Sequence, residues 1–240
     1  MKNALKILVG LIFLALFFYS FQNIMDFEGV ATSRQESFMR VFAALAQPNF
    51  QDGETTRQVA KGMWETVQMA FLATVMSAWL ATPFTFASAR PSSIWGRGVN
   101  FVLQPFLSAV RAVHPLIFTV PVIIFVGIGP TAGVLALTFF STAVLSGIFS
   151  EYAQQHPSLS WSILFKVHFP GLALKHLPVN LVIASVLGFM GGGGIGFFIQ
   201  QYISLLNYGN VSVALLACIL VIGGMDLCGR VVWRKVRAVE

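Results

Sequence analysis

The sequence has 240 residues, of which 56% are hydrophobic and 10% are charged. Soluble domains carry about 25% charged residues, so this composition excludes an ordinary soluble domain. The formal net charge is +6, but the basic residues stand at the ends of apolar segments and not among aromatic residues in a polar patch, which argues against nucleic-acid binding. We therefore expect an all-α membrane protein that crosses the bilayer several times.

A helix that crosses the hydrocarbon needs about 20 apolar residues, and the chain supplies about six such segments. Residues 1–22 are predicted to form an uncleaved first transmembrane helix, because no small-x-small cleavage site follows them. A polar periplasmic loop is predicted over 23–61, with a short amphipathic helix over 36–46. A transmembrane domain over 62–235 and a cytoplasmic tail over 236–240 complete the chain. The later spans are placed at 64–87, 112–129, 131–149, 177–195 and 211–229.

The distribution of basic residues predicts the orientation of the chain. Ten basic residues lie at the N-terminus, after the second span, after the fourth span and at the C-terminus, with Glu151 and Glu240 as the main acids there. The positive-inside rule then places both termini in the cytoplasm of a bacterial inner membrane. The piece over 92–113 is apolar on one side but contains Arg97 and Arg111, which favours a helix at the cytoplasmic interface over a seventh crossing.

The sequence lacks the common motifs of catalytic sites. The histidines lack metal-binding spacing, no serine lies in a GxSxG elbow, and there is no Walker lysine motif. The protein is predicted not to be an enzyme, with no catalytic, cofactor-binding or metal-binding residues of its own. Asp226 is the one strong ionisable candidate inside a span, and its position four residues before Arg230 predicts a local ion pair near the cytoplasmic end.

The stretch GFMGGGGIG over 188–196 contains a GxGxxG pattern. A dinucleotide fingerprint needs a preceding strand, a following helix and an acid about 20 residues on, and this stretch instead ends a membrane span. Four consecutive glycines cost a helix about 1 kcal/mol each relative to alanine. The sequence therefore predicts a bent or unwound outer-side gate or packing joint, formed by Gly191, Gly192, Gly193, Gly194 and Gly196.

The run GIGPTAGVLAL over 127–137 predicts a tight external turn between the third and fourth spans. With Arg111-Ala112-Val113, SGIFSE over 146–151 and GFMGGGGIG, it resembles the membrane permease of bacterial phosphonate ABC importers over roughly residues 60–235. The resemblance implies a type I ABC importer permease fold and a pathway for phosphonate or a related phosphorus oxyanion such as phosphite. Two alternatives stay open: a permease for methionine or a quaternary amine, and a non-transport membrane assembly protein.

The same resemblance implies the partners. They are a second permease subunit, two ATPase subunits that bind ATP and Mg, a periplasmic substrate-binding protein and membrane lipid. It also implies a short coupling helix against the ATPase after the fourth span, begun here by Ser150, Glu151, Tyr152 and Ala153, with Glu151 matching the family acid. This loop is shorter than the family pattern and lacks its glycine. A heterodimer with a less divergent permease is therefore favoured over a homodimer.

An anionic substrate would call for backbone N–H groups, hydroxyls or helix N-termini along the pathway, including N–H groups of the glycine stretch. Hydroxyls in membrane helices also bond across helix contacts, so that alternative stays open for each candidate. The candidates on the fourth and fifth spans are Ser141, Thr142, Asn180 and Ser185.

Overall fold

The computed structural model describes residues 2–24, 32–89 and 94–237. Within these ranges every regular element is helical. The elements are α1 (Lys2–Ile24), α2 (Thr32–Leu45), α3 (Gly53–Ala89), α4 (Ile94–Ala112), α5 (Pro115–Val126), α6 (Pro130–Gln155), α7 (Trp161–Ile163), a π-turn (Leu164–His168), α8 (Phe169–Leu187), a 3-10 turn (Gly188–Met190), α9 (Ile195–Ser204) and α10 (Tyr208–Arg237).

Residues 1–46 form one compact unit. Its first helix, α1, is apolar over Lys6–Gln22 and corresponds to the predicted first span. Its second helix, α2, confirms the short amphipathic helix predicted over 36–46 and begins a turn earlier. This unit therefore pairs one apolar helix with one amphipathic helix.

Residues 47–240 form a second unit. Four of its described helical segments are long and apolar enough to cross a membrane: Gly53–Ala89, Pro130–Gln155, Trp161–Met190 and Tyr208–Val231. The segment α6 is the centre of this unit, because α3, α5, α8 and α4 all pack against it. Accordingly, 61% of the apolar 18-residue stretch of α6 is buried, compared with 28% of the corresponding stretch of α10 at the edge.

The predicted third span is a bent pair of helices in the structure. Helix α5 has 12 residues, so its length is about 18 Å, short of the roughly 30 Å hydrocarbon core. The segment Asn100–Ala112 of α4 meets α5 at 92°. Since α5 packs along α6, α4 runs across the bundle, as a helix at the membrane interface would.

The predicted fifth span began too late in the sequence. The prediction of 177–195 excluded Lys166, His168 and Lys175 as polar, yet one helical segment runs from Trp161 to Met190. Packing compensates for these polar residues at its start, where Trp161 and Phe165 stack on Phe86 of α3. The connection from α6 is consequently only residues 156–160.

Candidate functional site

The glycine stretch is a break in the helix, as predicted. The chain leaves the 3-10 turn at Gly191, with φ 87°, and passes through Gly193 and Gly194 at φ 77° and 72°. L-residues rarely adopt such angles, because Cβ then approaches the following carbonyl oxygen. Helix α9 begins directly afterwards at Ile195. The four glycines therefore form an unwound joint between two helices.

Two other segments hold this glycine joint in place. On α3, the hydroxyl of Thr66 accepts a hydrogen bond from the Ile195 amide (2.8 Å), and the Glu65 carboxylate accepts one from the Gly194 amide (3.4 Å). In the turn between α5 and α6, the Gly129 amide donates to the Gly191 carbonyl (2.9 Å). The joint is thus a junction of three chain segments, here called the glycine junction (residues 62–69, 127–133 and 188–196).

Backbones approach so closely at the glycine junction that side chains would not fit. A Cβ on Gly193 would lie 2.7 Å from the Pro130 nitrogen, and a Cβ on Gly133 would lie 2.4 Å from the Gly192 carbonyl oxygen. Real Cβ contacts are not this short. Small residues permit such close approach in membrane bundles. The backbones of three segments are therefore in direct contact at these glycines, and their role as a gate or packing joint stays a prediction.

The amide groups of the glycine joint are mostly occupied. Gly191 and Gly192 donate to carbonyls of the preceding turn, and Gly194 and Ile195 donate to α3. Among the described residues, the amides of Gly193 and Gly196 have no such acceptor. The carboxylate of Glu65 also opposes an anion here. Few N–H groups of this stretch are therefore available to an anion, and the display of N–H groups to an anion stays a prediction.

A second polar site lies deep between α3, α6 and α8. The hydroxyl of Ser141 donates to Oδ1 of Asn180 (2.7 Å), and Nδ2 of Asn180 donates to Oγ1 of Thr74 (2.8 Å). Thr74 in turn donates to the Ala70 carbonyl (2.7 Å). Asn180 is fully buried. We call Thr74, Ser141 and Asn180 the polar clasp.

The four predicted path residues are thus hydrogen-bonded inside the chain. Ser141 and Asn180 join helices across the polar clasp, which is the alternative that the sequence left open. Thr142 donates to the Thr138 carbonyl and Ser185 to the Val182 carbonyl, both within their own helices. Thr74 was missed, because one hydroxyl among the apolar residues of α3 gives no signal before its partner is known.

The end of the bundle at which α3 and α10 begin carries a polar network that sequence reasoning also missed. Asn210 of α10 donates to the Thr55 hydroxyl (2.8 Å) and accepts from Asn49 (3.1 Å). Thr55 donates to the Asp52 carboxylate (2.5 Å), which precedes α3. That hydrogen bond lowers the pKa of Asp52. The network joins the first turn of α10 to the start of α3.

The residues predicted to begin the coupling helix lie elsewhere than expected. Ser150, Glu151, Tyr152 and Ala153 belong to the last turns of α6, because α6 continues to Gln155 and not to about 149. No separate helix lies between α6 and α7. Ser150 and Ala153 are buried, whereas Glu151 is exposed and accepts a hydrogen bond from Gln155 (3.3 Å).

Tyr152 belongs to an aromatic cluster at this end of α6. Its hydroxyl lies 2.9 Å from Nδ1 of His168, and its ring stacks on His156 at 4.2 Å. The cluster ties the end of α6 to the π-turn at the start of the next span. Of the four residues of the proposed coupling segment, only Glu151 therefore presents its side chain outward.

The predicted ion pair on α10 is confirmed, since Arg230 donates to the Asp226 carboxylate. Among residues 2–24, 32–89 and 94–237, no group of three His, Cys, Asp or Glu side chains could hold a metal ion.

The arrangement of helices matches solved membrane transporters. A chain of the inward-facing MetNI methionine ABC transporter has a TM-score of 0.55 and 20% identity, covering 76% of this chain and 96% of that one. A chain of an amino acid ABC transporter crystallised with histidines has a TM-score of 0.59 and 13% identity, covering 76% and 95%. The fold is that of the permease subunits of type I ABC importers.

Curated relatives narrow the comparison. The phosphate-import permease protein PhnE of Mycolicibacterium smegmatis is 29% identical over 181 residues, 68% of this chain and 34% of that protein. Two phosphite transport system permease proteins of Stutzerimonas stutzeri, the putative HtxC and PtxC, are 26% and 24% identical over 70% and 68% of this chain. The chain spans about a third of the first relative and about two thirds of the other two. No protein-family model matches the chain.

Replacing the central residue of the polar clasp should loosen the bundle. We expect Asn180→Ala to lower the free energy of unfolding by about 1–3 kcal/mol, because the buried Ser141 hydroxyl loses its acceptor. The thermal unfolding midpoint in detergent measures this loss. Ser185→Ala is the matched control, since that hydroxyl bonds only within its own helix. Equal midpoints for the two variants would contradict the bridging role of Asn180.

The glycine junction predicts a position-specific cost of one methyl group. We expect Gly193→Ala to destabilise the protein by about 1–3 kcal/mol, because it combines a positive φ with a collision against Pro130. Gly224→Ala is the control, since a Cβ there meets nothing within 4 Å. Thermal unfolding and uptake are measured together, and an unaffected Gly193→Ala protein would show that the junction tolerates side chains.

Proposed function

We propose that this chain is the membrane-spanning permease subunit of an ATP-driven importer that carries a small phosphorus oxyanion, such as phosphite, phosphate or a phosphonate. The observation that carries the proposal is the similarity of 181 residues to a phosphate-import permease protein and of 186 residues to a putative phosphite permease protein, in a chain with the importer permease fold. The chain would lie in a bacterial inner membrane with both termini in the cytoplasm, as its basic residues indicate.

The proposed partners follow from the same fold. Two ATPase subunits would bind ATP and Mg and hydrolyse the ATP, while a periplasmic binding protein would deliver the oxyanion. This division of labour is supported by the helical packing of the described chain, whose glycine stretch is an unwound joint and not a nucleotide loop after a strand. The permease itself would supply the walls of a pathway that opens alternately to each side.

The inner end of the chain supports a heterodimer. The connection over 156–160 has five residues, too few for a lateral helix that could seat in an ATPase groove. Glu151, at the end of α6, is the remaining exposed acid of the proposed coupling segment. We propose that a second, different permease subunit carries most of the coupling, while Glu151 makes a smaller contact with its own ATPase.

The experiment that tests the proposed function is uptake by cells that express the chain together with its neighbouring genes. We expect energy-dependent uptake of labelled phosphite or phosphate, abolished by deletion of this chain. Uptake of methionine or a quaternary amine instead would favour the alternative importer. Absence of any co-purifying ATPase would favour a membrane assembly protein. Weighing the intact complex separates one permease species in two copies from two different species.

Charge reversal at the inner end of α6 tests the ATPase contact. We expect Glu151→Lys to abolish uptake and uncouple ATP hydrolysis from substrate while the protein remains folded, because it inverts charge at the proposed contact. Glu54→Lys, an equal reversal at the exposed outer end of α3, should keep normal uptake. ATPase activity in reconstituted vesicles and size-exclusion chromatography are the measurements. Normal coupled ATPase activity in Glu151→Lys would remove Glu151 from the contact.

A further inference from the structure

The exposed face of α10 carries a charged pair in an otherwise apolar surface. Arg230 and Asp226 expose 69% and 43% of their side chains. Their neighbours on that face, Leu220 and Leu227, are 73% and 64% exposed. Only 28% of the apolar 18-residue stretch of α10 is buried. The pair is therefore not sheltered by the described part of the chain, although it lies on a helix long enough to cross the membrane.

The depth of the pair follows from packing against α8. A Cβ on Gly229 would lie 3.5 Å from Pro178, and α10 runs antiparallel to α8. Asp226 lies one turn closer to the start of α10 than Gly229. It is thus level with Asn180, which is bonded to Thr74 of α3. From Thr74, α3 extends about 32 Å outward to Gly53 and about 22 Å inward to Ala89. The pair consequently lies well inside the bundle, deeper than the cytoplasmic-end position that the sequence suggested.

The two sides of the bundle differ sharply at this depth. From residue 66 to 89, α3 contains no ionisable residue, and it exposes Trp79 at 79% together with Leu80 and Phe86. Such a surface suits lipid. At about the same depth α8 exposes Lys175, which follows Leu174, whose carbonyl oxygen would lie 3.7 Å from a Cβ on Gly229 of α10. Charged groups inside a membrane face water-filled cavities or protein, because hydrocarbon cannot solvate them.

We propose that the edge of α10 bearing Gly223, Asp226 and Arg230, with Lys175 of α8, lines the aqueous translocation pathway, and that Arg230 binds the oxyanion in transit. This inference rests on the proposed function. The planar guanidinium offers paired N–H donors that match oxyanion geometry. Asp226 holds the guanidinium and competes with the substrate for it. That competition keeps the binding weak enough for release, which conduction requires.

Gly223 lies on the same edge of α10 and leaves space for a larger side chain. It lies two turns outward from Arg230, and residues seven apart share a helix face. A Cβ at Gly223 meets nothing within 4 Å, so a larger side chain there contacts only what surrounds the chain. This makes Gly223 a probe position for deciding between water, lipid and a packed partner.

The first measurement is thiol accessibility in the complete importer. Gly223→Cys is placed in a Cys218→Ser and Cys228→Ser background and treated with anionic methanethiosulfonate ethylsulfonate. We expect rapid labelling that phosphite slows. Labelling only by an apolar maleimide would place this edge in lipid. A disulfide between the two permease subunits would place it in a packed interface. Either result would overturn the proposal, whatever ion the importer carries.

The second measurement is uptake kinetics with labelled phosphite and phosphate. We expect Arg230→Gln to raise KM at least about tenfold, Arg230→Lys to retain part of the binding, and Asp226→Asn to lower KM, because the competing carboxylate is removed. Arg57→Gln, at the exposed outer end of α3, is the control and should leave KM unchanged. Unchanged KM in Arg230→Gln would refute the anion contact. A wild-type importer that carries neither ion would refute the proposed function, while the labelling result would still decide whether the edge faces water.

Discussion

The polar clasp is the interaction on which the bundle depends. Helices in a bilayer gain little from hydrophobic association, since lipid is as apolar as their side chains. Asn180 overcomes this limitation by donating to α3 and accepting from α6 while lying on α8. Its amide fixes the register of three helices at a single depth. A shift of any one helix by a turn would leave buried donors and acceptors unpaired, which is costly in hydrocarbon.

Two further polar ties build outward from that depth. The glycine junction joins α3, the turn after α5 and the break before α9 through backbone amides. The network around Asn210 then joins the bundle at the end where α3 and α10 begin. On the other side of the polar clasp, towards the end of α6, apolar contacts include the stacked rings of Phe149 and Phe169 at 4.3 Å. The bundle is thus fastened at a few polar points and filled by close packing elsewhere.

Local patterns made part of this structure predictable. Helix α2, the unwound glycines and the Asp226 ion pair follow from periodicity, from glycine content and from a spacing of four residues. The type of fold followed from a resemblance carried by GIGPTAGVLAL and GFMGGGGIG. Each of these signals lies within about a dozen residues, where sequence is informative.

The remaining features depend on partners distant in sequence. Lys166 and His168 look like a loop until Phe86, 80 residues earlier, covers the start of their helix with aromatic packing. Thr74 acquires a role only through Asn180, 106 residues later. Likewise, the predicted end of the fourth span at residue 149 was too early, because α6 extends through Ser150–Ala153, where Tyr152 contacts His168.

The hydrogen bond from Gly129 to Gly191 also joins two segments that are distant in sequence. It joins the turn between α5 and α6 to the break before α9, so these two segments can separate only if this bond breaks, and the 92° bend at residues 113–114 marks where the joined unit meets the crossing helix α4.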